Sequence, residues 1–490
     1  MARTRTVAPA VSAGSMVLPL ALAQFIASYA GTNMNVAITT IATDIGTTVI
    51  GMQTTITLFT LTMASLMIPG SKLTDIWGRK TCFAAGLAVY GAGALLALLS
   101  QGIGLMIVGY SLLEGIGSAL MIPPIYILIT VAFPDLRSRA KYFGVVSGAA
   151  GLGAAAGPLV GGLITSAISW RASFGLQVLV VAAIALLARR IVDPPRQGRS
   201  PAFDLLGAVL SAAGLFFVVL GILQSTKYGW LVAREDFSIG GTVLIPRGSI
   251  SPIWLFVAIG VLILIGFFLH IRAREKAGRD PLISLRLFER RASNFGLATQ
   301  NIQWLTLQGS FFVISVFLQQ IRNYNAIETG LMLTPTTVGI LLSSAAAGRL
   351  ARRRAQNTLI RAGFVVTTAG MALMLILVRE TSGVFEFVPG LFLMGLGIGV
   401  MLTSSVNVVQ SSFPESDQGD ISGLSRSVSN LGSSLGTALA GSVLVASPYP
   451  GGKAVALALA TLLVISLLGL VAALFIPGET QQPVAQPAAV

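Results

Sequence analysis

Glu114 is the residue best placed to do chemistry in this sequence. It stands in the apolar run 104–132, which holds no other charged residue. It falls about ten residues into that run, near the middle of a bilayer, where a charge costs roughly 2.5–3.5 kcal/mol. Its carboxyl is therefore expected to be neutral, paired, or turned to a wet cavity, and able to exchange a proton. Ser111, Glu114 and Ser118 follow at i, i+3 and i+7 and share one helical stripe. Other chemistry is thin. One cysteine, Cys82, rules out a disulfide framework and a Cys-based zinc or iron–sulfur site. One histidine, His270, removes most His-centred catalysis. Paired acids, a Ser/His pair and a Gly-Lys-Ser/Thr phosphate loop are all missing from the apolar runs. The chain is not expected to be an enzyme or to hold a cofactor or metal.

The element that must position Glu114 is a membrane helix. Of 490 residues, 54% are hydrophobic and 10% charged, with a mean hydropathy of +0.83; a soluble protein carries roughly 25% charged residues. About fourteen runs reach the ~20 apolar residues that cross a bilayer, near 16–38, 50–70, 81–100, 104–132, 143–166, 172–188, 203–224, 251–271, 293–318, 327–348, 359–378, 384–411, 421–446 and 452–475. The run from Met16 is too long for the apolar part of a cleavable signal, so it is expected to be retained as the first span. With the N-terminus inside, about 24 of the 32 Lys and Arg fall in inside connections and about 7 outside. That alternation accounts for the net charge of +14 as sidedness rather than as a nucleic-acid surface. Both termini are then cytoplasmic, in a plasma (inner) membrane. A polar inside linker runs from Asp193 to Pro201, and the longest outside loop, Ser225 to Pro252, could form a hairpin over 237–246 around its Gly-Gly.

The turn after the second run reads Ser71-Lys-Leu-Thr-Asp75-Ile-Trp-Gly78-Arg79-Lys80. Gly78 permits a backbone angle other residues avoid, and Asp75 can pair with its basic neighbours or cap a helix. A degenerate copy, from Gly348 through Leu350 to Arg352 and on to Arg354, follows about 277 residues later. The fifth run carries Gly148, Gly151, Gly153, Gly157, Pro158, Gly161 and Gly162. Small residues at this density let helix backbones approach closely, and Pro158 removes one intrahelical hydrogen bond and should kink the helix.

The first of these motifs resembles the signature turn of the major facilitator superfamily, with Ser71 where its first glycine usually stands. The Gly148-to-Gly162 pattern is similar to the antiporter signature of that superfamily's drug-efflux branches. Trp170-Arg171 with Phe174 and Gln177, Asp204 to Gly207, and Pro281 to Phe288 are similar to stretches of its fourteen-helix drug:proton antiporter family. The resemblance covers about residues 16 to 475. It implies an all-α polytopic membrane protein: an N-terminal six-helix bundle over 1–190, a linker with two extra transmembrane helices over 191–280, a C-terminal six-helix bundle over 281–478, and a disordered tail over 479–490. Ala30 stands where the family usually carries a carboxylate in span one, and Ser111 and Glu114 stand where its fourth span usually has arginine and glutamine.

In the superfamily, spans one and four of each half line a central cavity, here spans one, four, nine and twelve. The expected cavity residues are Gln24, Tyr29, Asn33 and Asn35; Ser111; Asn301, Trp304 and Gln308; and Ser404 and Asn407. Glu114 is the expected proton-coupling residue, Asp75, Gly78 and Arg79 the inside latch between bundles, and Gly148, Gly157, Pro158, Gly161 and Gly162 the antiporter-motif helix that shapes the closed outer half. Arg426, a turn inside span thirteen, is expected to snorkel to the headgroups. His270 is expected to be solvated, Cys82 to be a packing residue, and Phe311 and Phe312 to face lipid. The resemblance implies a secondary transporter in the lipid bilayer that works as a monomer, exchanging hydrophobic or amphiphilic small molecules for protons by alternating access. With Ala30 in place of the usual acid, an uncoupled or differently coupled exporter or facilitator of lipids or neutral metabolites stays open beside it.

Overall fold

The computed structural model describes residues 13–133, 136–189, 191, 202–239, 242–351, 353–414 and 417–478. Expectations on the N-terminus before Ala13, the linker from Asp193, Arg352 and the tail over 479–490 lie outside the described residues. In lipid a backbone must satisfy its own hydrogen bonds, so apolar runs become helices. We number the long helices α1 (Ala13–Asn33), α2 (Val49–Trp77), α3 (Arg79–Leu98), α4 (Ile103–Ile129), α5 (Leu136–Ala167), α6 (Trp170–Ala188), α7 (Leu205–Leu223), α8 (Ile253–Lys276), α9 (Arg291–Val316), α10 (Ala326–Ala351), α11 (Gln356–Leu377), α12 (Val384–Ser411), α13 (Gln418–Ala446) and α14 (Gly452–Leu474). Among the described residues, thirteen helices are long and apolar enough to cross a membrane. The one expected span outside that set is α1, whose 21 residues include Gln24, Ser28, Thr32 and Asn33.

Local chemistry sets several ends. Thr48, Ser169 and Asp204 cap α2, α6 and α7 by accepting from the N–H groups of Gly51, Arg171 and Gly207. Gly78 divides α2 from α3 at a φ of 106°, which a residue with a Cβ rarely adopts. α4 is not regular: Ile107–Glu114 is a π-helical segment of eight residues. α9 likewise ends in a π turn, Phe317–Ile321. The outside loop forms the expected hairpin, β1 (Phe237–Ile239) antiparallel to β2 (Thr242–Ile245), with Phe237 set edge-on to the rings of Tyr228 and Phe256.

Packing follows a repeated plan. One hydrophobic core is drawn mainly from α1 to α6, and a second from α9 to α14. Two seams join these groups: α2 against α13, and α5 against α10. The second helix of the first six thus meets the fifth of the last six, and the fifth meets the second. α7 and α8 pack on each other, and α7 also lies against α2 and α13, with Leu61, Val219, Leu223 and Ala438 forming a small core there.

Where α7 begins, His270 departs from expectation. Its Nε2 lies 2.9 Å from the buried Asp204 carboxylate, which also lies 3.5 Å from Arg274 and accepts from the Leu282 N–H. Burial works to raise the Asp204 carboxyl, but the His270 ring, the Gly207 N–H and Arg274 hold it below the usual aspartate range. A helix-capping aspartate at that depth recruits His270 and Arg274, one turn apart on α8, and this draws His270 out of bulk solvent.

Candidate functional site

α13 carries serines and a threonine at 422, 425, 429, 433 and 437, a stripe at helical spacing. The helix binds its neighbours through polar contacts from the stripe and from positions beside it. Ser425 donates to Gln300 Oε1, Ser427 to the Ala64 carbonyl and Ser434 to the Thr57 carbonyl, while Asn301 donates to the Val428 carbonyl. Between α13, α1, α2, α4 and α9 a cavity of ≈ 50 Å³ remains, room for one or two waters at ~30 Å³ each. A drug-sized ligand needs about 300–1,000 Å³, so the cavity as it stands is too small for one.

The structure brings Gln24, Trp304 and Gln308 to this cavity, together with Ser28. Gln308 Nε2 donates to the Gly31 carbonyl across 2.8 Å, joining α9 to α1. Other expected cavity residues lie elsewhere. Tyr29 and Asn33 turn to α6, where the Tyr29 hydroxyl lies 2.6 Å from Ser173 Oγ and Asn33 Nδ2 donates to the same oxygen. Asn35 donates to the Thr32 carbonyl, and its own carbonyl accepts from Gln319 of α9's π turn. Ser111 is spent on the Thr55 carbonyl of α2, and Asn301 on α13. Ser404 is buried on α12, and Asn407 is exposed, because the buried face of α12 there runs through Met401, Ser405, Val408 and Val409. The fourth polar wall is α13, not α12.

Arg426 is the residue that sequence reasoning misplaced most. It lines the cavity instead of reaching for headgroups: its guanidinium bonds the Tyr126 hydroxyl and lies 5.0 Å from that ring's centre. Asn430 and Ser433 line the cavity beside it. The serine period of α13 was the signal that could have found all three. Phe311 and Phe312, expected in lipid, are buried instead.

Glu114 lies one layer behind the cavity wall. Phe59, a wall residue, stacks on Tyr110 at 4.6 Å, and Tyr110 and Tyr90 lie near the carboxyl. Tyr90 donates to Gln177 Oε1 across 2.5 Å, and Tyr110 to the Ala30 carbonyl across 3.0 Å. Glu114 is fully buried, and neither of its oxygens meets a hydrogen-bond partner among the described residues within bonding geometry. The Gln177 amide nitrogen, Asn33 Oδ1 and the Ser118 hydroxyl share that condition. The π segment explains why the expected stripe leaves the cavity: a wider turn shifts the phase between Ser111 and Ser118 away from a 3.6-residue period.

The seams carry the other motif residues. At one end of the α2–α13 seam, Lys72 Nζ pairs with Asp420 at 2.9 Å and Ser71 donates to the Gly419 carbonyl. Asp75 and Arg79 are half-buried at the same end, beside the Lys72–Asp420 pair. Gln53 donates to the Thr437 and Ala438 carbonyls at the other end. On α5, a Cβ at Gly157 or Gly161 would meet Thr32 or Asn33 of α1, and one at Gly162 would meet the Ala326 carbonyl of α10. Pro158 sits opposite Gly330 of α10 in an α5 helix that runs on through it. Gly148 meets nothing within 4 Å, because it lies beyond the close crossing. Near Ser166, which accepts from the Ile327 N–H, Asp44 binds the Trp170 indole and Arg171. Those bonds hold the Asp44 carboxyl below its usual range.

Comparison with known proteins is consistent with this geometry. The family model described as the Major Facilitator Superfamily matches residues 20–246, 237–437 and 300–489. A puromycin resistance protein of Streptomyces alboniger is 30% identical over 86% of this chain and 80% of its own length. A probable actinorhodin transporter of Streptomyces coelicolor is 28% identical over 84% of this chain and 69% of its own. A multidrug resistance protein of Mycobacterium tuberculosis is 26% identical over 81% and 69%. Among the described residues thirteen helices long and apolar enough to cross a membrane, two seams repeated in order around a small cavity, and a family match over nearly the whole length lead to one statement: this chain belongs to the major facilitator superfamily.

Proposed function

We propose that the chain is a secondary active transporter that exports hydrophobic or amphiphilic small molecules in exchange for protons. The names of its relatives, among them resistance proteins, a probable transporter and a resistance and export protein, support export. Residues 1–190 and 281–478 act as the two bundles, and they rock about the cavity so that both seams part at one end while they close at the other. Lys72–Asp420, with Asp75, Gly78 and Arg79 beside it, latches the basic end of the molecule, which faces the cytoplasm along with both termini of a monomer in the inner membrane.

Glu114 carries the coupling half of this reading. A fully buried carboxyl whose oxygens meet no partner in bonding geometry among the described residues is costly to ionise. Release of its proton must therefore coincide with water or a donor reaching it. Phe59 and Tyr110 separate the cavity from the acid, so opening of the cavity and hydration of Glu114 can be one event. The residues do no covalent chemistry: they bind, exclude water and move a proton.

The test is Glu114→Gln in proteoliposomes. The variant keeps its melting temperature and its substrate counterflow, and loses acceleration of dye efflux by an imposed pH gradient. Full acceleration in the variant removes Glu114 from the mechanism. Wild-type transport indifferent to the gradient favours the uncoupled exporter, a reading supported by the buried Ala30 at the position of the family's usual acid.

A further inference from the structure

We propose that the central cavity selects amphiphilic aromatic anions, with Arg426 as the group that holds the negative charge. This rests on the reading of the cavity as the transport site. Arginine is never deprotonated in a protein, and a permanent cation inside a membrane is kept where it meets a charge partner or a substrate. Among the described residues no carboxylate lies within 4.0 Å of Arg426, and no acid lines the cavity. Glu114 does not fill this role, since its near polar neighbours are Tyr90 and Tyr110. What Arg426 has instead is Tyr126, through its hydroxyl and its ring face. A phenol lowers the cost of the cation without neutralising it.

The rest of the cavity suits the rest of such a molecule. A guanidinium offers five N–H donors in a planar fork that matches a carboxylate. Asn430 stands on the same helix to donate to a second oxygen, while the Ser433 hydroxyl, which donates to the Ser429 carbonyl, lines the cavity beside it, and Gln24 and Gln308 line it from α1 and α9. Trp304, Phe59 and Met63 supply the apolar wall for an aromatic body. A cationic amphiphile finds like charge there and no acid to offset it.

The experiment uses two dyes with one ring skeleton, anionic fluorescein and cationic rhodamine 123, on the full-length protein. Binding is read by fluorescence anisotropy in detergent and transport by efflux from proteoliposomes. The wild type should bind fluorescein about ten-fold or more tighter than rhodamine 123, and Arg426→Gln should lose about that factor for fluorescein alone. Arg426→Lys, which keeps the charge and loses the fork, should fall between them and controls for folding alongside a melting curve. Equal binding of both dyes, no binding of fluorescein, or an unchanged Arg426→Gln overturns the inference. Arg426-dependent binding of fluorescein with no efflux of either dye sinks the transport reading and leaves the anion site standing. Efflux of rhodamine 123 without fluorescein binding does the reverse.

Discussion

A single methyl group on the α5–α10 seam should move the protein between conformations. A Cβ at Gly162 would lie 2.4 Å from the Ala326 carbonyl oxygen, and one at Gly330 2.4 Å from that of Pro158. Ordinary contact begins near 3.4 Å, so the backbones must part by about 1 Å, and neither backbone oxygen can swing away as a side chain would. Overpacking of this kind costs about 1–3 kcal/mol. If the seam is closed in one state and open in the other, that cost falls on the closed state alone, and the ratio of states shifts about 5–150-fold. Spin labels at Leu163 and Leu331, both more than half exposed, in a background lacking Cys82 would report it by pulsed electron resonance. Gly162→Ala and Gly330→Ala should each add a longer distance component. Gly148→Ala, with nothing within 4 Å of its added carbon, should leave the distribution as it was. An unchanged distribution in the two seam variants, or the same shift in Gly148→Ala, would refute the argument.

Two further outcomes follow from the same structure. The Lys72–Asp420 pair is 18% and 23% exposed at its side chains, between a surface and a buried pair. A double-mutant cycle on thermal stability should therefore give a coupling of about 1 kcal/mol at low salt, less at high salt. A coupling indistinguishable from zero at low salt removes the pair as a latch. Asp204 has its carboxyl held below the aspartate range, so its stabilisation is complete above about pH 4 and fades as the pH falls through its lower folded value. Melting curves should show Asp204→Asn less stable than wild type at neutral pH, with the gap narrowing in acid. A gap that widens in acid contradicts the sign of the shift.

The membrane spans were legible because bilayer thickness imposes one length on every crossing, and the small loop hairpin was legible from its Gly-Gly. The cavity was harder to read. Periodicity at 3.6 residues assumes a regular helix, and the π segment Ile107–Glu114 breaks that assumption where the main acid sits. Polarity alone does not separate a residue that meets a ligand from one that binds another helix. Tyr29, Asn33, Ser111 and Asn301 all turned out to bridge helices. Arg426 lies near a span's end in sequence, where snorkelling is the usual outcome; only the position of Tyr126, 300 residues away in sequence, draws it inward.

The placement of α7 makes the two sides of the molecule unequal despite their matching seams. The α5–α10 side presents bare aliphatic side chains at Leu152, Leu163, Leu331, Val338 and Leu342 to the surrounding acyl chains. The opposite side is roofed by an additional helix that touches both partners. A greasy solute dissolved in the leaflets therefore meets an added helix over one seam and the bare side chains of the seam helices themselves over the other.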